Sequence, residues 1–271
     1  MRLSNTHFDL NQPYWQDFLP YLHKLAGTVL PDCNQLNALL IDGLSSAGGA
    51  AIRFVPSTEL DDAPYEQRIY TTGQISTRPG NLHDLFNALV WMRFPRLKLA
   101  MNTVHFNSTE QSLRGSRGAQ RDALTLFDEC GVIVFSQNHQ ALEALAQRNW
   151  SRIFQTDTFQ QQTHYVISGH AMLEKYLSPY KAMTAKALLV KVDAETMALP
   201  RENLLEELDS RLAELLLMGK TLTKPACLTP LPLAGIPGWW PDGKQDHDFY
   251  ADQNVFRPPP ESMTSVPIIE L

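Results

Sequence analysis

Pro95 divides the most strongly patterned stretch of the chain, and that stretch limits the fold more than any other. From Arg78 to Arg121 the sequence reads RPGNLHDLFNALVWMRFPRLKLAMNTVHFNSTEQSLRGSRGAQR. Counted at about 100° per residue, Leu82, Leu85, Phe86, Leu89, Val90 and Met92 collect on one side of a helix. A proline lacks the N–H that a helix interior needs but suits a first turn. The first helix is therefore predicted to end near Arg93 and a second to begin at Pro95. Asn81 is placed to cap the first, with Asp84 at its third position. On the second, Leu97, Ala100, Met101 and Val104 form the apolar side, and Lys98, Asn102 and His105 lie together opposite.

The polar side of the first helix carries His83, Asp84, Asn87 and Trp91. A solvated face is usually stocked with Lys and Glu, not with an imidazole, an amide and an indole. Both sides are thus expected to meet something: the core on one, a cleft or a second layer on the other.

Charge bears on what that something is. The run holds seven basic residues (Arg78, Arg93, Arg96, Lys98, Arg114, Arg117, Arg121) against two acidic ones, while the chain totals −6, so the run is +5 and the remainder −11. A local basic zone on an acidic protein favours a small anionic ligand, a phosphate or carboxylate, over long nucleic acid. The plain alternative is that these cations pair with carboxylates elsewhere in the chain.

The chain as a whole, 271 residues with 44% apolar and 19% charged, reads as an ordinary globular protein. Residues 13–27 and 32–44 are predicted helical, with Pro13 in a first turn, Asp32 as a cap and Gly43 near a stop. AIRFVP (51–56) and RIYTTGQIST (68–77) read as strands. NSTEQSLRGSRGAQR reads as a mobile loop, and ALTLFDECGVIVFS as a hairpin turning at Asp128-Glu129. A helix over 138–154 follows. Then come a strand at 163–168, a helix from His170, a strand at 187–193, and a long helix that stops at Gly219. From 221 the chain is rich in Pro, Gly and Trp, with Trp239, Trp240, Phe249, Tyr250 and Phe256 expected to anchor an irregular strap. The fold class expected is α+β: small mixed sheets packed by several helices. The division expected is an N-terminal helical segment (1–50), a main domain (51–260) and a loose tail (261–271).

No apolar stretch approaches the ~20 residues that span a bilayer, and no signal peptide is evident at the start. Three scattered cysteines without a CxxC pair suit reduced thiols, so a cytoplasmic protein without membrane contact is expected.

His83 and Asn87 are four apart on one helix, and His170 and Glu174 repeat that spacing on another. Two such pairs on facing helices are a sound way to hold a divalent metal, the cofactor this pattern allows, with His83, His170 and Glu174 as ligands. The bland alternative for each histidine is a bond to a backbone carbonyl. Asp122, after a basic loop and before an apolar arm, is a candidate to orient a histidine. Dinucleotide, P-loop, nucleophile-elbow and zinc-deaminase signatures are all missing.

The words HDLFNALVW and FPR, with RDALTLFDECG, GHAMLEKYLSPY and FYADQNVFRP, resemble the bacterial family catalogued as domain of unknown function 3025. The resemblance runs from about YEQRIY onward. It implies a bacterial source and a single recurring unit, and it brings no catalytic residue or cofactor with it.

Two functions follow as expectations. The first is a hydrolytic enzyme, metal-assisted, acting on a small anionic or phosphate-bearing substrate. In it His83, Asp84, Asp122, His170 and Glu174 carry the chemistry, and Asn87, Trp91, His105, Arg117 and Arg121 bind the substrate. The second is a non-catalytic binding or adaptor protein that uses the His83/Trp91 face as an interface. Convergence of His83, Asp84 and His170 in one hollow, with Arg121 at its rim, favours the first.

Overall fold

The computed structural model describes residues 9–25, 30–112, 118–241, 243–261 and 265–271, with the side chains of 109–112 left aside. The chain enters through a 3-10 turn (Pro13–Phe18) and two short helices, α1 (Leu19–Lys24) and α2 (Cys33–Asn37). Pro13 opens the turn, and the Asp32 carboxylate caps α2 by accepting from Gln35 N. Trp15 and Phe18 are buried, and the Trp15 indole stacks on Phe86 at 5.9 Å.

Strands β1 (Arg53–Pro56) and β2 (Gln74–Thr77) pair in parallel, with α3 (Tyr65–Thr72) between them. The strand expected over 68–77 is therefore helix up to Thr72. Gly73, at φ 68°, ends α3 in the left-handed conformation, a helix-stop signal that the strand expectation passed over.

Helices α4 (Leu82–Arg93) and α5 (Pro95–Ser112) meet at Phe94, whose φ of −129° and ψ of 57° break the helix just before Pro95. Asn81 accepts from Asp84 N, the expected cap. The first amides of α5 find their acceptor far away in sequence. Arg96 N and Leu97 N donate to the buried Asp209 carboxylate at 3.0 and 2.8 Å. α6 (Ala119–Cys130) then runs directly into β3 (Gly131–Ser136). The expected hairpin does not exist. Ala123, Leu124 and Phe127 are buried at helical spacing, so the first arm coils and Asp128-Glu129 become its last turn.

All six residues of β3 are buried, as a central strand with both faces covered requires. α7 (His139–Ala146), α8 (Trp150–Gln155) and α9 (Asp157–Gln162) follow. The single helix expected over 138–154 is broken by Arg148, at φ 53°, after which Asn149 caps α8. β4 (His164–Ile167) lies antiparallel to β3, and α10 (His170–Lys175) leads to β5 (Thr184–Lys191), parallel to β3. α11 (Ala194–Met197) and α12 (Arg201–Leu217) come next, with Gly219 at φ 68° as the expected stop.

The described residues of the C-terminal strap are mostly irregular, and they include a short helix, α13 (His247–Tyr250), and two strands, β6 (Thr229–Pro232) and β7 (Ile268–Glu270). The strand order is β4-β3-β5-β6, and β7 also pairs with β5. β6 covers Thr184–Ala187 on one edge of β5, and β7 covers Leu189–Lys191. The end of the segment expected to be loose is thus a paired strand, because β6 stops short and leaves main-chain groups that β7 satisfies. Trp239, Phe249 and Phe256 are buried, so the strap is anchored by its aromatics as expected. The fold class is α+β, with small mixed sheets among the helices. Among the described residues no helix is long and apolar enough to cross a membrane.

Asp209 ties α12 to the start of α5 and carries a pH signature. Burial pushes its pKa up to about 6, against the Leu97 and Arg96 amides and the nearby Arg96 and Arg93 charges, which pull it down. The folded state therefore holds this proton more tightly than the unfolded chain does. The resulting stability is full below about pH 4 and is lost as the pH rises through about 6. We predict that the unfolding free energy of the wild type, relative to Asp209→Asn, falls by about 2 kcal/mol between pH 4 and pH 7. Urea denaturation at the two pH values reads this directly, and a pH-independent difference would contradict it.

Candidate metal centre and cleft

The site forms where three helix ends meet. His83 lies in the first turn of α4, His170 opens α10, and Asp128 and Glu129 close α6. Two glycines allow the approach. Ser168 N and Gly169 N both donate to Gly131 O, at 3.0 and 2.9 Å. A β-carbon on Gly169 would fall on Gly131 N and within 2.6 Å of Cys130 N and Glu129 O, all of them main chain. Neither glycine has a positive φ. What each supplies is room, and that room sets His170 against the end of α6.

The two imidazoles face each other, with His83 Nε2 and His170 Nε2 3.0 Å apart. His83 Nδ1 donates to Glu174 Oε2 at 2.8 Å. On the far side of the other ring, His170 Nδ1 lies 3.8 Å from Asp128 Oδ2. Glu129 Oε2 completes the group at 3.6 Å from His170 Nε2. A carboxylate behind each Nδ1 favours a hydrogen there, which leaves a lone pair on each Nε2 and points the two at one another. Such an arrangement is repulsive unless a metal cation or a shared proton lies between them. The other protonation, with His170 donating from Nε2, turns its Nδ1 lone pair onto the Asp128 carboxylate. Burial pushes His170 down to about 4; Asp128 opposes this, while Lys98 and His83 add to it. The ring is neutral at pH 7.

Metal–nitrogen bonds of about 2.0–2.1 Å in a tetrahedral site put ligand atoms roughly 3.3 Å apart. The observed 3.0 and 3.6 Å straddle that value. Among the described residues, His83, Glu129 and His170 are the one group of three such side chains whose ligand atoms all lie within 4.8 Å of one another. Carboxylates behind the ring nitrogens are the usual supports of metal-bound histidines.

The three residues line a cleft of about 540 Å³ that also takes in Asp84, Asn87, His105 and Arg121. His83, Asp84 and His170 therefore do share one hollow with Arg121. Other expectations need correction. Glu174 holds the opposite nitrogen of His83 from the one that faces His170, so it supports that ring and Glu129 takes the ligand position. Asp84 accepts from Arg78 through its backbone N, Nε and Nη2, at 2.6, 3.0 and 2.7 Å. Burial raises its pKa, and the Arg78 contacts outweigh burial and leave it below its ordinary value. It fastens the turn before α4. Trp91 is 1% exposed and belongs to the core, because Lys98 of α5 covers it, with Nζ 5.4 Å from the ring centroid. Asp122 is exposed on the first turn of α6 and does not line the cleft. Arg121 stands on a helix and not on a loop. Arg117 lies outside the described residues. His105 lines the cleft, and burial pushes its pKa down, opposed by Asp128.

The basic zone is largely neutralised within the fold. Arg93 pairs with Glu202, Arg96 with Asp209, Lys98 with Asp128 and Arg78 with Asp84. Of the cleft's acids, Asp128 and Glu129 were expected only as a turn. A helical reading of RDALTLFDECG would have found them, since Arg121, Thr125, Asp128 and Glu129 fall on one face at that period, and all four line the cleft.

Gly169→Ala is expected to force the start of α10 away from Glu129–Gly131 and to destabilise the fold by about 3 kcal/mol or more, since main chain cannot yield as a flexible side chain would. An unchanged denaturation midpoint would show that this approach does not hold the site together. Comparison with curated proteins and with solved structures returns no match. The model of the family described as protein of unknown function (DUF3025) matches residues 52–259, beginning before YEQRIY and ending before β7, and the chain belongs to that family.

Proposed function

We propose that this protein is a metal-assisted hydrolase acting on a small anionic, phosphate-bearing substrate. The observation that carries the reading is the pair of Nε2 atoms 3.0 Å apart, with a carboxylate behind each ring and Glu129 beside them. Two histidines and a glutamate are a recurring catalytic zinc set, with one position left for water or substrate. A divalent cation there supplies Lewis-acid polarisation and a water activated near neutral pH. Glu174 keeps His83 in the tautomer that ligates, and the Asp128 charge, 3.8 Å from His170 Nδ1, favours the same tautomer there without bonding it. Arg121, with no salt-bridge partner among the described residues, faces the same hollow and is placed to grip an anion. The cleft's size suits a small molecule. The chain's −6 charge disfavours long nucleic acid, and unpaired Cys33, Cys130 and Cys227 fit a reducing cytoplasm. The rival reading, an adaptor binding through the His83/Trp91 face, loses its indole to the core.

Purified protein is expected to take up about one equivalent of zinc or a similar divalent ion, measured by elemental analysis after dialysis. His83→Ala and Glu129→Ala should abolish that uptake, and Glu174→Gln should weaken it roughly 10- to 100-fold. The loaded protein is expected to hydrolyse a chromogenic phosphate ester, an activity missing from His170→Ala. A wild type that binds no divalent ion overturns the proposal.

A further inference from the structure

The cleft that takes in the two histidines is also lined by a tyrosine whose hydroxyl has its hydrogen-bonding role set by its neighbours. Lys98 is 6% exposed, and its ammonium donates to Asn87 Oδ1 at 3.0 Å and to Asp128 Oδ1. An ammonium can only donate, so the atom of Asn87 that faces it must be the carbonyl oxygen. The amide is thereby oriented, and Asn87 Nδ2 donates to the Tyr65 hydroxyl at 3.0 Å. The Tyr65 oxygen is thus an acceptor in this bond, and its own hydrogen must point elsewhere. Among the described residues no hydrogen bond donated by Tyr65 is present, and Tyr65 lines the cleft that holds His83, Glu129 and His170. Burial of the phenol end and then the Glu66 carboxylate raise its pKa, so the hydroxyl keeps its hydrogen at neutral pH.

We infer that Tyr65 is a substrate-contacting residue that donates its phenolic hydrogen to an oxygen of the bound anion, with Asn87 and Lys98 as positioning residues that aim it. The inference rests on the metal-assisted reading and adds to it a protein group in the same cleft that meets the substrate. It also accounts for an Asn in the cleft and the buried Lys bonded to it, neither of which is free to hold substrate itself. Lys98 is committed to two acceptors, and both ends of the Asn87 amide are engaged. Tyr65, by contrast, is 37% exposed as a residue and lines the cleft, so a bound anion can approach it.

The test uses the full chain loaded with zinc, and inorganic phosphate as the probe, with both affinities measured by calorimetry. Tyr65→Phe keeps the ring and removes the donor. It is expected to bind zinc as the wild type does and phosphate about tenfold more weakly, the loss typical of one hydrogen bond to a charged group. Asn87→Ala should also weaken phosphate with zinc affinity unchanged. The double variant should be no weaker than Tyr65→Phe alone, since aiming matters only while the hydroxyl is present. Equal phosphate affinity in wild type and Tyr65→Phe overturns the inference and leaves the metal centre standing. A zinc-loaded wild type that binds no phosphate does the same, as do two losses that simply add. A wild type that takes up no zinc overturns the metal centre and this inference together.

Discussion

Where α6 gives way to β3, and β4 gives way to α10, two stretches of main chain run so close that no β-carbon fits between them. Gly131 and Gly169 meet there, and the Gly131 carbonyl accepts from two consecutive amides of the other strand. This contact fixes the end of one helix, the start of another and the entry of the central strand into the sheet. The candidate ligands follow from it directly, since Glu129 precedes Gly131 by two residues and His170 follows Gly169. A constellation hung on helix ends beside a fully buried strand is held more firmly than one carried on loops. The third ligand, His83, is brought in by α4 and held there by Glu174 from α10.

The charges follow a related logic. Read along the chain, Arg78 to Arg121 is a basic segment. In the folded molecule Arg93, Arg96, Lys98 and Arg78 are each matched to a carboxylate, two of those carboxylates from α12. The cleft itself holds Glu66, Asp84, Asp128 and Glu129 against Arg78 and Arg121, so its own field favours a cation. An anion is attractive there once that cation is present and Arg121 is within reach. Under the proposed function, these charges would favour metal first and substrate second.

Much of this was legible in the residues. The break at Pro95, the cap at Asn81, the strand running into His170 and the long helix ending at Gly219 each rest on a local rule that the fold obeys. His83 and His170 were visible because each has a second polar side chain four residues on, Asn87 and Glu174, on the same side of its helix. What was not legible depended on long-range packing. Trp91 shares the angular position of His83 and Asn87 but lies one turn deeper, where α5 roofs it over; periodicity gives direction around a helix and not depth beneath a surface. Asp128 and Glu129 were obscured by a local ambiguity, since TLFDECGVIVF has the composition of a hairpin while Leu124 and Phe127 have the spacing of a helix. Tyr65 stands just before the strand expected over 68–77 and was not singled out. Its partnership with Asn87 joins residues 22 apart in sequence, a separation that no window of local pattern can see.

The stacking of Trp15 on Phe86 has a consequence for where this unit ends in space. The residues that match the family begin at 52, yet the back of the helix that carries His83 is covered by an indole from well before that point. At the other end, the second half of β5 takes its neighbour from residues beyond 259. A fragment excised at the family's limits would bare an aromatic ring behind the histidine and an open strand edge beside the central sheet, both of them adhesive surfaces. The span shared with relatives and the body that can keep itself dry are different objects.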